Sequence, residues 1–490
     1  MKICKEEFTD TKYDEIFAKY PFTLSNFQKW AIKGITEDKS ILITAHTGSG
    51  KTLPAEYAIE YFVSQGKKVI YTCPIKALSN DKKKSLSKKF PHISFGILTG
   101  DVKDNPEADV LIMTTEILRN TLFQKQLIKK NEQITKELLH FDMDTENDLA
   151  AVVFDEIHYI GDKHRGRVWE ETLMMLNRKI TVIGLSATIS HPELFCNWIE
   201  TINKDMYLCP NHERVVPLYQ HMFFTFPDAA FKKVNKENML FINNYKNKPV
   251  QFIKNHQFRD NTYLNVKRSL EILEERKIRV HPHFVLNQMI EYMKLNDGLP
   301  CIIFVFSKKK IHEYAKSITV NLFDEGDKTP SIMRKRCEKI LINKLDNYKE
   351  YTSLPEFNEI VSLLEKGIAI HHSGITSIFR EMVETLFDEK LIKVLFATET
   401  FAVGINMPTK STVFTNIMKY SDEGYRLIQP HEYTQMAGRA GRRGIDTVGH
   451  VIHCNNLFSM PAMCNEYRNM LTGPPKMLTS QFKISFNLIL

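Results

Sequence analysis

The stretch Ala45-His46-Thr47-Gly48-Ser49-Gly50-Lys51-Thr52 limits what this chain can fold into more than any other. The apolar run Ile41-Leu42-Ile43 ahead of it reads as a buried parallel strand, and Leu53 to Gly66 behind it reads as a helix. Pro54 falls in the first turn of that helix, where no backbone donor is missed. A glycine loop in this setting turns successive backbone N–H groups inward beside a helix N-terminus, which makes a nest for phosphate. Thr47, Gly48, Ser49 and Gly50 form the cradle, Lys51 reaches the β- and γ-phosphates, and the Thr52 hydroxyl ligates Mg²⁺. The first place of the usual pattern holds Ala45 instead of glycine. A plain Gly/Ser turn is the competing reading, and the alignment of strand, lysine, hydroxyl and helix argues against it.

With 490 residues there is room for about three domains and for cores that need no disulfide staples. A hydrophobic content of 43% and a charged content of 25% are those of an ordinary globular protein. The formal net charge of +8 suits an anionic partner without demanding one. The 8 cysteines are scattered, with no CxxC pair and no Cys/His ligand spacing. They read as reduced thiols in an intracellular protein, cytoplasmic or nuclear, with no zinc. The start, Met1-Lys2-Ile3-Cys4-Lys5-Glu6-Glu7, lacks the apolar core of a signal peptide. No apolar run approaches the ~20 residues of a membrane span, so no membrane partner is expected.

Residues 1–20 read as a polar, partly helical lead-in. A helix capped by Ser25 or Asn26 follows, with Phe27, Trp30 and Ala31 on its apolar face. On spacing alone it is a core-facing helix. An aromatic and a glutamine ahead of a phosphate loop can also stack on and hydrogen-bond an adenine, which draws attention to Gln28.

Three short apolar strands come next. Val69 to Cys73 ends in Pro74-Ile75-Lys76-Ala77-Leu78-Ser79, and Ile93 to Leu98 ends in Thr99-Gly100-Asp101. Val110 to Met113 ends in Thr114-Thr115-Glu116, with Arg119 on the next helix. Small hydroxyl residues after successive strands line the carboxyl edge of a sheet, where open parallel sheets bind ligands. Lys82, Lys83, Lys84, Lys88 and Lys89 read as a solvated helix face. Residues 131–148 are polar and acidic surface. Leu149 to Phe154 then runs into Asp155-Glu156-Ile157-His158. Buried carboxylates are unfavourable unless paired or metal-bound. Asp155 therefore suits a water-mediated Mg²⁺ contact, and Glu156 suits positioning and deprotonating an attacking water. Ile180 to Leu185 ends in Ser186-Ala187-Thr188, whose hydroxyls can bond the acidic site.

Residues 211–217 break the strand–helix alternation and mark a domain boundary. Residues 223–277 are rich in Lys and Asn and weakly periodic, which reads as a locally packed, otherwise solvated insertion. A second series begins with Cys301 to Phe306, ending at Ser307. Residues 311–366 read as helices, with Thr329 and Pro330 in a connecting loop. Ile368 to Ile370 ends in His371-His372-Ser373-Gly374. No third ligand stands at a useful spacing from the two histidines, so hydrogen bonding is preferred over metal. Ile392 to Phe396 ends in Ala397-Thr398-Glu399-Thr400, followed by Phe401 to Pro408. Gln435-Met436-Ala437-Gly438-Arg439-Ala440-Gly441-Arg442-Arg443-Gly444 precedes a last strand. Arg439 and Arg442 lie three apart, on one helical face, and guanidinium groups aimed at a phosphate stabilise charge during its transfer. A basic RNA-binding turn is the alternative for the same residues.

The order AHTGSGKT, DEIH, SAT, TETFAVGINMP, QMAGRAGRRG closely resembles superfamily 2 DExH-box helicases. HHSG, GRAGRRG and the tail Leu478-Thr479-Ser480-Gln481-Phe482 resemble, within that group, the superkiller and exosome-cofactor branch of RNA helicases. The likeness runs from about residue 20 to the end, strong at the motifs and weak at 223–300 and 311–360. It implies an α/β fold of two tandem RecA-like domains, parallel sheets flanked by helices, with an ATP cleft between them. The implied plan is a lead-in (1–20), a first RecA-like ATP-binding domain (21–214) and a second RecA-like domain (215–475) with an insertion near 223–300. A winged-helix-like tail would begin over 476–490. ATP and Mg²⁺ are the implied cofactors, with Gln28 and Phe22 at the adenine and Gly404 and Asn406 joining the phosphate loop. Thr52 and Asp155 would serve the metal, and Glu156 the water. Gln435, Arg439 and Arg442 would complete catalysis, while His158, Ser186 and Thr188 couple it.

Single-stranded or partly duplex RNA would meet Pro74, Lys76, Ser79, Thr99, Gly100, Thr114, Thr115, Arg119, Ser307, Ser373, Gly374, Thr398 and Thr400. Such contacts, mainly to phosphates and sugars, are sequence-tolerant and salt-sensitive. The implied activity is RNA-stimulated ATP hydrolysis with 3′→5′ translocation, and protein cofactors of RNA processing or decay are the implied partners. A DNA helicase and a non-hydrolysing nucleic-acid clamp are the alternatives. Members of the branch continue into a winged helix and a helical ratchet, and this chain stops at Leu490. Most of that region is therefore expected to be missing, and strong processive unwinding with it.

Overall fold

Ile41, Leu42 and Ile43 lie in a strand, Ser40–Ala45, whose six residues are all buried. That is the condition of a strand covered by helices on both faces. The computed structural model describes the chain except residues 47, 131–140, 142, 188, 212, 230–233, 255–256, 403–406, 408, 422–423, 459, 461–462, 475–476 and 482–490. Thr47, Thr188, Gly404 and Asn406 thus lie outside the described residues. The chain divides into two units, Met1–Arg214 with Pro475–Leu490, and Val215–Pro474.

The first unit is built on β1 (Lys2–Ile3), β2 (Ser40–Ala45), β3 (Lys68–Cys73), β4 (Phe95–Leu98), β5 (Lys103–Asp104), β6 (Val110–Thr114), β7 (Leu149–Phe154), β8 (Thr181–Ser186) and β9 (Met206–Asn211). Their spatial order is β1-β9-β2-β8-β7-β3-β6-β4-β5. Every neighbouring pair is parallel except β4 with β5. The helices are α1 (Asp14–Phe17), α2 (Asn26–Thr36), α3 (Leu53–Val63), α4 (Lys76–Lys89), α5 (Thr115–Lys130), α6 (Gly166–Met175) and α7 (Pro192–Ile202). Alternation along the strands sorts the core into two layers. Ile41, Ile43, Val69 and Tyr71 pack with α2, α3 and α4, whereas Leu42, Ile70 and Phe154 pack with α5, α6 and α7.

The lead-in differs from the sequence reading, and the C-terminal segment is grouped with the same unit. The lead-in is part of this unit: β1 pairs with β9, and Cys4, Phe8 and Tyr13 are buried in the same cluster as Phe27 and Trp30. At the other end, Met477 bridges Ser190, and Glu170 accepts from Ser480 Oγ and Gln481 N, each at 2.9 Å.

The second unit contains β10 (Leu218–Phe223), β11 (Val250–Lys254), β12 (Gln257–Phe258), β13 (Cys301–Phe304), β14 (Ile368–His371), β15 (Val394–Ala397), β16 (Ser411–Phe414), β17 (Met418–Ser421), β18 (Gly424–Leu427) and β19 (Gly449–Cys454). Eight of these form a sheet in the order β12-β11-β10-β19-β16-β13-β15-β14, and β17 with β18 is a separate hairpin. The helices are α8 (Lys236–Asn243), α9 (Asp260–Glu275), α10 (Pro282–Leu295), α11 (Lys308–Lys316), α12 (Thr329–Ile342), α13 (Tyr348–Ser353), α14 (Pro355–Leu364), α15 (Ser377–Asp388), α16 (Pro430–Ala437) and α17 (Cys464–Thr472). The stretch read as a locally packed, otherwise solvated insertion contributes a strand and buried side chains to the unit's main core. β11 returns antiparallel along β10 and extends the sheet, and Phe224, Phe226, Phe252, Tyr263, Val285 and Met289 join the unit's main cluster. Thr329 and Pro330 open α12 instead of linking helices, since proline is tolerated in a first turn.

The eight cysteines are free thiols, seven of them buried. Among the described residues, no group of three or more His, Cys, Asp and Glu could hold a metal ion, and no helix is long and apolar enough to cross a membrane.

Candidate nucleotide and nucleic-acid site

Strands β2, β8 and β7 are adjacent and parallel, with Thr44 opposite Ser186 and Phe154 opposite Gly184. The loops that leave their carboxyl ends therefore gather at one place. Gly48 (φ +81°) and Gly50 (φ +86°) both adopt the left-handed backbone of a phosphate nest. A Cβ on Gly48 would meet nothing within 4 Å, so backbone conformation, not space, requires glycine there. The turn closes through Ser49 N to His46 O (3.2 Å), and Leu53 N donates to Gly50 O (3.2 Å) as the helix begins. Gln28, 1% exposed, ties this loop to α2: its Nε2 donates to Gly50 O (3.0 Å) and its Oε1 accepts from Ser25 N (2.8 Å). The glutamine singled out for adenine is thus also a brace for the phosphate loop. Phe22 is 49% exposed, its ring 6.0 Å from that of Tyr20.

Across the loop, Lys51 Nζ lies 2.9 Å from Glu156 Oε1. Glu156 itself has φ +50° and ψ +47°. A side-chain-bearing residue loses about 1–2 kcal/mol in that region, and such strain gathers at functional sites. The turn is held by Glu156 N donating to Asp155 Oδ1 (3.0 Å) and by Tyr159 N donating to Glu156 O (3.0 Å). His158 Nδ1 stands 3.4 Å from both Glu156 Oε2 and Ser186 Oγ, which brings together two of the three residues expected to couple the site. Asp155 is 3% exposed, and its Oδ2 accepts from Tyr71 Oη (2.8 Å) and pairs with Lys82 Nζ (3.2 Å). Lys82 departs from the solvated face assigned to it, whereas Lys83 and Lys89 pair with Asp104 and Glu56. The residues fit Mg²⁺: the Thr52 hydroxyl and the Asp155 carboxylate are hard oxygen donors, and both acids of the turn already hold cations.

The three neighbouring loops are linked to one another. Lys76 Nζ bonds Asp101 Oδ2 (2.5 Å) beside Gly100. Arg165 donates to Pro74 O (2.5 Å) and to Glu116 Oε1 (2.6 Å), so an arginine that sequence reasoning passed over ties two candidate RNA loops together. Thr99 and Thr114 are 8% and 7% exposed at the edge. Ser79 and Thr115 are corrections as side-chain contacts. Both are fully buried, and Ser79 Oγ bonds back to Ile75 O (3.4 Å). Arg119 Nε faces Glu171 Oε2 at 3.6 Å.

In the second unit, Ser307 caps α11 by accepting from Lys310 N (3.4 Å). His371 Nε2 bonds Glu384 Oε1 (2.7 Å), and His372 Nε2 meets His312 Nε2 (2.9 Å). His372 Nδ1 accepts from Gly374 N (3.0 Å), which shapes the exposed Ser373-Gly374 turn. Burial, with the nearby His312 and Lys308, pushes the His372 imidazole down to about 4. Thr398 and Thr400 share a 2.8 Å hydroxyl contact.

The arginines correct the reading that placed them on one helical face. Helix α16 ends at Ala437, and Gly441 (φ +88°) turns the chain between them. Arg439 is 6% exposed and donates through Nε to Ala402 O at 3.1 Å, while Gln435 lies within α16. Arg442 forks onto Asp446, Nε to Oδ2 at 2.7 Å and Nη2 to Oδ1 at 2.8 Å, and this partner pulls the Asp446 carboxyl below its ordinary value despite burial.

Two units on mainly parallel sheets flanked by helices, one with a glycine loop beside a strand-end acidic pair, define a protein of the tandem RecA-like class. Comparison with known proteins specifies it further. The DEAD/DEAH box helicase family matches residues 25–195, and the helicase conserved C-terminal domain matches residues 333–444. The chain is 36% identical over 472 residues to the ATP-dependent RNA helicase mtr4 of Schizosaccharomyces pombe, across 96% of this chain and 40% of that protein. It is 35% identical over 513 residues to the antiviral helicase SKI2 of Saccharomyces cerevisiae, across 96% of this chain and 38% of that protein. It is 36% identical over 479 residues to the exosome RNA helicase MTR4 of Homo sapiens, across 96% and 42%. The chain carries both helicase domains and matches, over 96% of its length, relatives of the superkiller and exosome-cofactor branch of DExH-box helicases. It spans about two fifths of the length of these relatives.

Proposed function

We propose that this chain is the motor part of an ATP-dependent RNA helicase, an RNA-stimulated ATPase that moves 3′→5′ on single-stranded RNA and remodels RNA or its protein complexes. The observation that carries the proposal is the 2.9 Å pair of Lys51 with Glu156 at the carboxyl edge of β2 and β7. It puts a phosphate-seeking ammonium and a base for water within one bond of each other. On nucleotide binding, Lys51 turns to the β- and γ-phosphates, which leaves Glu156 Oε1 to accept a proton from the attacking water. Mg²⁺ bound at Thr52 and Asp155 would supply charge neutralisation at the phosphates. His158 and Ser186 steady the other side of the Glu156 carboxylate, and Gln435, Arg439 and Arg442 are assigned to the developing phosphate charge. The linked loops at Pro74, Lys76, Thr99, Gly100 and Thr114 and the turn at Ser373-Gly374 would hold RNA phosphates.

The relatives' names, ATP-dependent RNA helicase and exosome RNA helicase, support RNA as the substrate and proteins of RNA processing or decay as partners. A cytoplasmic or nuclear location accords with them.

Phosphate release measured without nucleic acid, with RNA, and with DNA of matched sequence tests the proposal. RNA stimulation is expected, with turnover abolished in Lys51→Ala and Glu156→Gln. Equal or greater stimulation by DNA makes this a DNA helicase, and binding without turnover makes it a clamp. Duplexes with 3′ or 5′ overhangs test the direction.

A further inference from the structure

Leu78, Lys82 and Leu86 recur every fourth residue and so lie on one face of α4. The two leucines, 5% and 1% exposed, are buried with Tyr71 in the core layer beneath that helix. A lysine in such a stripe is unfavourable unless its charge is compensated. Here the compensation is Asp155: the Lys82 side chain is 17% exposed, and Nζ lies 3.2 Å from Oδ2, the oxygen that also accepts from Tyr71 Oη at 2.8 Å. The ammonium also stands 5.4 Å from the Tyr71 ring centroid. Six residues earlier, roughly 9 Å along the axis, the same helix begins at Lys76, whose exposed ammonium bridges to Asp101 among the candidate RNA loops. One rigid element therefore has an exposed end at the nucleic-acid edge and a charged side chain on the carboxylate assigned to the metal.

We propose that Lys82 is a positioning residue through which α4 passes nucleic-acid engagement to Asp155. This rests on the helicase reading above. A strand that displaces Lys76 from Asp101 shifts α4, and the shift moves the ammonium that orients Asp155 Oδ2. Lys82 touches neither nucleotide nor RNA in this scheme; it acts through the carboxylate. Its signature is loss of coupling between two binding events, not loss of either one.

The experiment measures the affinity of fluorescent ADP with Mg²⁺, with and without single-stranded oligouridine, for the full chain, Lys82→Met and Lys82→Arg. In the unaltered chain, RNA is expected to change nucleotide affinity by about fivefold or more. Lys82→Met should bring that factor below about twofold while each ligand binds nearly as before, and Lys82→Arg should restore most of it. The proposal is overturned if Lys82→Met keeps the full factor. It is equally overturned if nucleotide affinity falls by the same amount with and without RNA, since that marks a purely structural role. Should Lys82→Met not fold, Lys82→Gln, which still donates to Asp155 without charge, carries the same comparison. If the unaltered chain binds neither oligouridine nor nucleotide, the helicase reading fails first, a result separable from failure at Lys82.

Discussion

The two units handle their charged site residues in opposite ways. In the first, each acid of the Asp155-Glu156 turn faces a lysine, Lys82 for Asp155 and Lys51 for Glu156, and the proposed function has a bound nucleotide rearrange these pairs. In the second, the arginines assigned to phosphate are bonded to the unit's own frame, Arg439 to Ala402 O and Arg442 to Asp446. Its buried polar interior relies on neutral histidines instead. The comparison teaches that one site is held ready by exchangeable ion pairs, whereas the other keeps its cations tied until something better competes for them.

The largest expected effect tests the ready site. Glu156→Gln should lower ATP turnover by about 10²-fold or more while fluorescent nucleotide still binds, and stopped-flow binding beside phosphate release reads both. Next, Arg442→Lys keeps a charge for Asp446 and loses the planar fork. Turnover should fall by at least about tenfold with the thermal midpoint nearly unchanged; an equal loss of both would make this arginine a strut. Arg439→Ala should do the reverse in part, because it removes a buried donor from Ala402 O and destabilises the second unit by about 1–3 kcal/mol, measured by denaturant unfolding.

The histidines make a pH prediction. Burial, with His450 beside it, pushes His221 down to about 4, and burial beside His221 pushes His453 down to about 3; His372 is near 4. An unfolded chain takes up these protons below about pH 6.5, and the folded unit does not. Their contribution is therefore present above that pH and is lost progressively as pH falls toward 4. Limited proteolysis at pH 7 and near pH 5 should cut the second unit first on acidification; first cuts in Met1–Arg214 would reverse the contrast between the units. The smallest effect belongs to the tail. Ser480→Ala removes one of two donors from Glu170 and should weaken the first unit by roughly 0.5–1.5 kcal/mol, visible as faster hydrogen exchange at the Gln481 amide.

Much of this was readable in advance, for a local reason. Strand cores of β-branched and aliphatic residues, and the glycine loop with its proline-started helix, are set by neighbours along the chain, so β2, β7 and β8 and their terminal residues were legible. The lead-in was misjudged because Cys4, Phe8 and Tyr13 are apolar residues spaced among charges, and their shared cluster with Trp30 has no periodic trace. The 223–277 stretch was misjudged because its aromatics are buried by strands and helices far along the chain. Arg439 was expected to share a helical face with Arg442, but the helix stops at Ala437 and Arg439 donates to Ala402 O. Lys82 did leave a signal, its place between Leu78 and Leu86, which the surrounding lysines obscured.

By itself, the amino-acid order determined which strand ends carry the candidate site residues: lysine and threonine after β2, two acids after β7, a serine at the end of β8. Which charges face each other was decided only by the tertiary structure. Strand order sets β8 between β2 and β7 and puts β3 on the far side of β7, so Tyr71 on β3 and Lys82 on the helix after it reach Asp155. Electrostatic pairing depends on distance in space, and neighbours in a parallel sheet can be a hundred residues apart in the chain.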